Sequence, residues 1–283
     1  MKTITLVGFG LLAGSVATAV KLAKQTTIRV VSSKNTLQKA KELSMADEFF
    51  EYDDVQNWLP NSDLILLCSP IKHIISTIKV LEKNAGLLSG EVIVSDIGST
   101  KEQICKSGFA LPKPFVFIGG HPMAGSEKRG IEHSDPSIFK NANWFYCLPE
   151  NLTELPSSLK ELLFFLGSRP VQISPSEHDF VMAWLSHAPQ IISTSIAAGV
   201  FSTSVKKHLH LAGRGFRDMT RIAGSSWGMW KDILETNKEN IAEALETYAK
   251  KALEMKKELD ALQLNELENN FSLGNQTRKI LEK

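Results

Sequence analysis

Residues 3–15, Thr-Ile-Thr-Leu-Val-Gly-Phe-Gly-Leu-Leu-Ala-Gly-Ser, decide how the rest of the chain is read. A β-rich run, Thr3 to Val7, enters the pattern GxGxx(G/A), and a proline-free, helix-compatible stretch, Leu11 to Lys24, leaves it. With a second β-rich run at Thr27 to Val31, the segment reads as a βαβ unit. Gly8 permits the tight turn, Gly10 lets a ligand approach the backbone, and small Ala13 lets helix and strand pack closely. The helix N-terminus then faces bound phosphates. Gly8, Phe9, Gly10, Leu11, Leu12 and Ala13 are therefore expected to cradle a dinucleotide. A secretory signal competes for the same residues, because Lys2 precedes an uncharged stretch ending near Ala17-Thr18-Ala19. Gly8, Gly10 and Gly14 interrupt the apolar helix that a signal requires.

Working outward, the alternation continues. Helical stretches around Thr36 to Leu43 and after Ile71 separate strands at Leu64 to Cys68 and Val92 to Ser95. Further strands are expected at Phe115 to Gly119, Trp144 to Leu148 and Pro170 to Ile173, with a helix near Leu159 to Leu166. The fold class is thus α/β, an N-terminal Rossmann-type doubly wound parallel sheet followed by an all-α C-terminal domain. Ser174-Pro175-Ser176-Glu177 combines an N-cap serine, a proline at the first helical position and a glutamate at the third. The boundary falls there, giving a dinucleotide-binding domain over 1–173 and a helical substrate and dimerisation domain over 174–283. Pro189 should kink or break the helix that follows. Thr236 with Glu239 suggests a capping box for a long helix, along which Ile241, Leu245, Tyr248, Ala252, Met255, Leu259 and Leu262 form an apolar seam. That seam suits either an intramolecular bundle or a homodimer.

Among 283 residues, 43% are hydrophobic and 32 basic residues face 31 acidic ones, a net charge of +1. Such a chain has no field for gripping nucleic acid or an anionic membrane surface. Cys68, Cys105 and Cys147 are odd in number and lack metal-ligand spacing, and of the seven histidines His73, His133, His178, His208 and His210 show no convergent metal pattern. No metal is expected, and a reducing cytoplasm fits.

The residues after the second strand discriminate between the nicotinamide cofactors. Ser32-Ser33-Lys34 follow Val31 where NAD-binding chains place an acid, so hydroxyl donors and an ammonium suit the 2′-phosphate of NADP, with NAD as the alternative. Arg29 is a lesser helper. Ser69 and Pro70, after an apolar strand, are expected at the carboxyl edge of the sheet and along the cofactor cleft.

Two further segments leave strands with unusual polar content: Ser95-Asp96-Ile97-Gly98-Ser99-Thr100-Lys101, with Asp96 placed beside the cofactor, and Gly119-Gly120-His121-Pro122-Met123-Ala124-Gly125-Ser126-Glu127. A histidine fixed between glycines and a proline is poorly suited to a core. Together with GxGLxxGS at 8–15, SHxP at 186–189 and GFRDxTRIA at 215–223, these segments resemble the prephenate and arogenate dehydrogenase family over nearly the whole chain.

The resemblance implies hydride transfer from a cyclohexadienol to NADP with loss of the ring carboxylate as carbon dioxide. By position, His121 would be the base at the ring hydroxyl and Ser99 would hold that histidine or the hydroxyl. Arg221 would bind a substrate carboxylate, with Glu127 and Asp218 orienting it. His187 would line the cleft, and Gln190, where prephenate-using relatives often carry histidine, has a carbonyl that accepts from the ammonium of arogenate. Arogenate is therefore the expected substrate and prephenate the alternative. A hydroxyacid dehydrogenase would instead use a catalytic lysine in its helical domain, and a non-enzymatic NADP sensor would have no need of His121, Ser99 and Arg221 together. No chorismate mutase segment precedes the cofactor strand and little chain follows the last long helix, so a monofunctional protein is expected.

Overall fold

The computed structural model describes residues 1–23, 26–125 and 130–282. The first part of the chain alternates strands and helices: β1 (Thr3–Val7), α1 (Leu11–Ala23), β2 (Thr27–Val31), α2 (Lys34–Glu42), β3 (Glu48–Phe50), α3 (Val55–Trp58), β4 (Leu64–Leu67), α4 (Ile71–Lys83), β5 (Val92–Asp96), α5 (Glu102–Gly108), β6 (Phe115–Pro122), β7 (Asn143–Cys147), α6 (Ser157–Leu166) and β8 (Arg169–Gln172). The eight strands form one sheet in the order β3-β2-β1-β4-β5-β6-β7-β8. The order reverses direction at β1, so the crevice outside its carboxyl end is the topological switch point where such sheets bind ligands.

The sheet is not wholly parallel. β7 runs antiparallel to β6, pairing His121 with Phe145 and Gly120 with Tyr146, while every other neighbouring pair is parallel. The inner strands are apolar on both faces because helices cover both. Ile4, Leu6, Ile28 and Val30 pack on one side with α1 and α6, and Val7, Ile65, Leu67 and Val94 pack on the other with α4 and α5.

From Pro175 onward the described structure is helical: α7 (Pro175–Met182), a π turn (Ala183–His187), α8 (Ala188–Phe201), α9 (Arg214–Thr220), α10 (Trp227–Thr236), α11 (Lys238–Asp260) and α12 (Leu264–Leu281). Ser174 caps α7 by accepting from the Glu177 amide at 3.3 Å. The break expected at Pro189 takes the form of the π turn just before it. Ala188 N–H reaches back to Ala183, so the Trp184 carbonyl is left over and accepts instead from the Tyr248 hydroxyl at 3.1 Å. No described helix is long and apolar enough to cross a membrane.

Two expectations fail here. The Thr236–Glu239 capping box does not form, because Thr236 is the last helical residue of α10 and its hydroxyl is spent on the Asp232 carbonyl at 2.7 Å. Asn237 occupies the cap position of α11 instead. The long helix is also not the last one, since α12 folds back against it. Ile241 of the seam is buried, whereas Leu259 and Leu262 stand in solvent.

Candidate functional site

At the switch point the glycine turn has the form its sequence requires. Gly8 sits at φ +88°, a left-handed conformation, and a Cβ there would lie 2.2 Å from the Ser69 hydroxyl. A Cβ on Gly10 would meet nothing within 4 Å, so its α-carbon faces open space at the N-terminus of α1. Ala13 is buried in the core that holds Ile4 and Leu6 of β1, and at Gly14 beside it a Cβ would lie 2.1 Å from Ser134 Oγ. Gly10, Leu11, Leu12 and Ala13 line a cleft of about 560 Å³ with Ser69, Pro70, Ser99 and His121. A backbone cradle open to ligand at a helix N-terminus fits a dinucleotide pyrophosphate. Phe9, by contrast, turns into the core and is 5% exposed.

Beside this cleft lies a second hollow of about 460 Å³, lined by Val7, Tyr52, Asp53, Ser69, Pro70, His73 and Thr77. The two hollows share Ser69 and Pro70 and lie along the carboxyl edge of the sheet. Ser33 and Lys34 stand exposed after β2, whereas Ser32 is buried. The expected absence of a carboxylate there does not hold in space: β3 pairs with β2 and delivers Glu51, whose carboxylate lies 3.7 Å from the Lys34 ammonium. Arg29 is not available to a phosphate. Its guanidinium pairs with Glu48 at 2.8 Å and donates to the Pro60 carbonyl at 2.6 Å.

Asp96 also departs from expectation. Its carboxylate points inward, fully buried, and is occupied by an ion pair with Lys101 and by the amides of Gly98 at 2.7 Å and Gly120 at 2.9 Å. A carboxylate so engaged has no face toward a cofactor.

His121 ends β6 at the cleft wall, 9% exposed. Its Nδ1 lies 2.8 Å from His178 Nε2, and His178 Nδ1 lies 2.8 Å from Asp179 Oδ1. Asp179 is acceptor only when ionised, so the chain of bonds fixes the tautomers: His178 donates from Nδ1, accepts at Nε2, and receives the Nδ1 proton of His121. The Nε2 lone pair of His121 is left as the ring's basic position. Burial first, then the charges of His178, Lys101 and His187, hold the His121 pKa well below the usual imidazole value. The ring is therefore neutral at physiological pH. Ser99 lines the same cleft, but among the described residues His121 bonds to His178 and not to Ser99.

His187, buried in the π turn, accepts at Nδ1 from the Asn237 amide at 3.1 Å and meets the Trp230 ring edge-on. Burial lowers its pKa to about 4. It braces the helical side of the site and does not line the cleft. Gln190 likewise stands behind the wall: its Nε2 donates to the Ile222 carbonyl at 2.8 Å, and its Oε1 accepts from the Ser225 hydroxyl at 3.3 Å. Gln190, expected to face the substrate, does not line the cleft, whereas Ser225, which bonds to it, does. Asp218 and Arg221 are exposed on α9 and the turn after it, with no ion pair between them; cleft-lining residues in this segment begin at Gly224. Glu127 lies outside the described residues.

Sequence reasoning missed His178, Asp179, Lys101, Ser225 and Glu51. Only Lys101 stood within a motif already singled out, and its side chain is spent inside the fold.

The comparisons with known proteins follow the same division of the chain. A family model described as the prephenate dehydrogenase nucleotide-binding domain matches residues 16–169, and one described as the prephenate dehydrogenase dimerization domain matches residues 174–273. A prephenate dehydrogenase of Bacillus subtilis is 33% identical over 87% of this chain and 67% of its own. Among solved structures, the Synechocystis arogenate dehydrogenase has a TM-score of 0.81 at 28% identity, covering 98% of this chain and 99% of that one. The A. aeolicus prephenate dehydrogenase, solved with hydroxyphenyl propionate and NAD+, has a TM-score of 0.87 at 27% identity over 99% and 98%.

Proposed function

The chain belongs to the prephenate dehydrogenase family and is an NAD(P)-dependent oxidoreductase of aromatic amino acid biosynthesis, and from that premise we propose that it oxidatively decarboxylates arogenate to tyrosine with NADP. The observation that carries the choice of substrate is Ser225. Its hydroxyl proton is directed at two acceptors, the Ile222 carbonyl at 2.8 Å and Gln190 Oε1 at 3.3 Å. What Ser225 offers the cleft is therefore its lone pairs, and an acceptor suits an ammonium better than a keto oxygen.

In this reading Gly8 to Ala13 seat the pyrophosphate, Ser69 and Pro70 flank it, and Ser33 and Lys34 take the 2′-phosphate. The nicotinamide, when bound, supplies the hydride acceptor. His121 draws the ring-hydroxyl proton onto Nε2 while His178 and Asp179 hold its other face and stabilise the imidazolium that forms. Ser99 orients the ring hydroxyl. Arg221, with Asp218 three residues before it and Glu127 as its acidic partners by family resemblance, takes the side-chain carboxylate. Gripping the departing carboxylate would stabilise the ground state just as its charge is lost, which opposes catalysis.

A second reading, prephenate as substrate, is favoured by the name of the B. subtilis relative and by the engagement of Gln190 away from the cleft. Initial rates with arogenate and prephenate, each with NADP and NAD, decide between them. A preference for prephenate of tenfold or more in kcat/KM overturns the substrate assignment, and a preference for NAD overturns the cofactor assignment.

Residues 174–283 are the dimerisation half in this proposal. Along the second half of α11 and on α12, Leu253, Leu259, Phe271 and Leu273 are each more than half exposed, apolar side chains that a partner copy can cover. Light scattering of the purified protein should give twice the mass of the chain.

A further inference from the structure

We propose that the buried Asp96–Lys101 ion pair is the positioning element that aligns His121 with Ser99. Both side chains are 0% exposed. Asp96 accepts the Gly120 amide at 2.9 Å, and the Lys101 ammonium donates to the Gly120 carbonyl at 2.7 Å. The residue before His121 is thus gripped at both of its backbone groups by one pair. The same Asp96 carboxylate accepts the Gly98 amide at 2.7 Å, which fixes the residue before Ser99. Gly120 leaves no slack, because a Cβ there would lie 2.3 Å from the Asp96 carbonyl. One ion pair therefore ties the end of β6 to the turn after β5, and those two segments carry the proposed base and its partner.

Stability does not explain the pair. Burying two charges costs about as much as their attraction returns, and apolar replacements of such pairs are often neutral or stabilising. What an apolar pair cannot do is hold three backbone groups and place a positive charge beneath the imidazole. The described titratable groups that act on His121 are His178, Lys101 and His187, and those that act on its partner His178 include Asp179 and Asp96. Lys101 opposes protonation of the ring, so it keeps His121 available as a base as well as in place.

This inference rests on His121 being the base, and the test separates the two. The imidazole of His121 is titrated by NMR in protein carrying 15N-histidine, with its signal identified by loss in His121→Asn. In Lys101→Met the titration midpoint should rise by about one unit or more, as expected for removal of a neighbouring charge, and the acid limb of kcat/KM should rise with it. An unchanged midpoint overturns the proposal. The double variant Asp96→Asn, Lys101→Met leaves no lone buried charge and guards against misfolding of the single one. It should lose at least tenfold in kcat with cofactor affinity kept, and full kcat overturns the proposal. In the wild type, the 15N signal of the Lys101 ammonium should persist in slow exchange with water, and a neutral or freely exchanging Lys101 is equally fatal to it. Retained turnover in His121→Asn would instead remove the base assignment while leaving the NMR result standing.

Discussion

His121 Nδ1 and His178 Nε2 are 2.8 Å apart, and this one contact determines which nitrogen of His121 is basic. Asp179, bonded to the far side of His178, forces the order of donors and acceptors along the row. Replacing His178 by phenylalanine keeps the volume and removes the acceptor. The tautomer of His121 is then no longer imposed, and kcat should fall by about 10²- to 10⁴-fold, the range seen when the orienting member of such a row is lost. Cofactor affinity, measured by quenching of protein fluorescence, should change less than twofold.

His121→Asn removes the proposed base. Turnover should collapse while NADPH binding stays near the wild-type value, and preserved turnover would refute the role.

Gly8 and Gly10 make a matched pair of tests. Gly8→Ala places a Cβ against Ser69 in a left-handed backbone position, so it should cost about 1–3 kcal/mol of stability and lower the melting temperature. Gly10→Ala meets no protein atom within 4 Å, so the melting temperature should hold while cofactor affinity drops at least tenfold. Equal effects in the two variants would show that the space over Gly10 is not the cofactor's.

The buried histidines set an acid limit to stability. His187 is held to about 4, and His121 and His178 are also lowered, each chiefly by burial. A histidine whose folded pKa is depressed binds protons more readily when unfolded, so its contribution is complete above about pH 6.5 and is lost as the pH falls toward 4. For His187 alone, the difference between 6.5 and about 4 corresponds to about 3 kcal/mol. Urea midpoints at pH 7.5, 6 and 5 should fall in that order, and His187→Gln should flatten the slope.

Ser225→Ala removes the lone-pair donor from the cleft without touching His121. The KM for arogenate should rise at least fivefold with kcat nearly kept, and the KM for prephenate should be unaffected. A parallel rise for both substrates would place Ser225 elsewhere than at the ammonium.

The βαβ start, the helical second half and the cap at Ser174 were legible because their signals are local: alternation, a glycine turn, a serine before a proline. What the sequence hid depends on contacts between distant segments. β3 is three residues long and only half-buried, too short for a periodic signal, and so its delivery of Glu51 to Lys34 was invisible. Asp96 lies in a segment of cofactor-site character, yet Lys101 draws its carboxylate inward. The antiparallel course of β7 leaves no mark on its own composition. His178 follows His121 by 57 residues, and no spacing rule connects them.

The seam between the two halves of the chain is fastened with polar contacts. Thr236 meets Thr100 at 2.8 Å, Asp232 accepts the amide of Lys72 at the start of α4, Lys72 pairs with Glu235, and the Asp179 carboxylate accepts the Lys101 amide at 2.6 Å. Several of these fasteners lie within a residue or two of Ser99, His178 or the helix that follows Pro70. The cleft is thus a joint as well as a pocket: its walls come from both halves of the chain, and a substitution at the joint such as Thr236→Val reaches Ser99 through its neighbour Thr100 without touching the cleft itself.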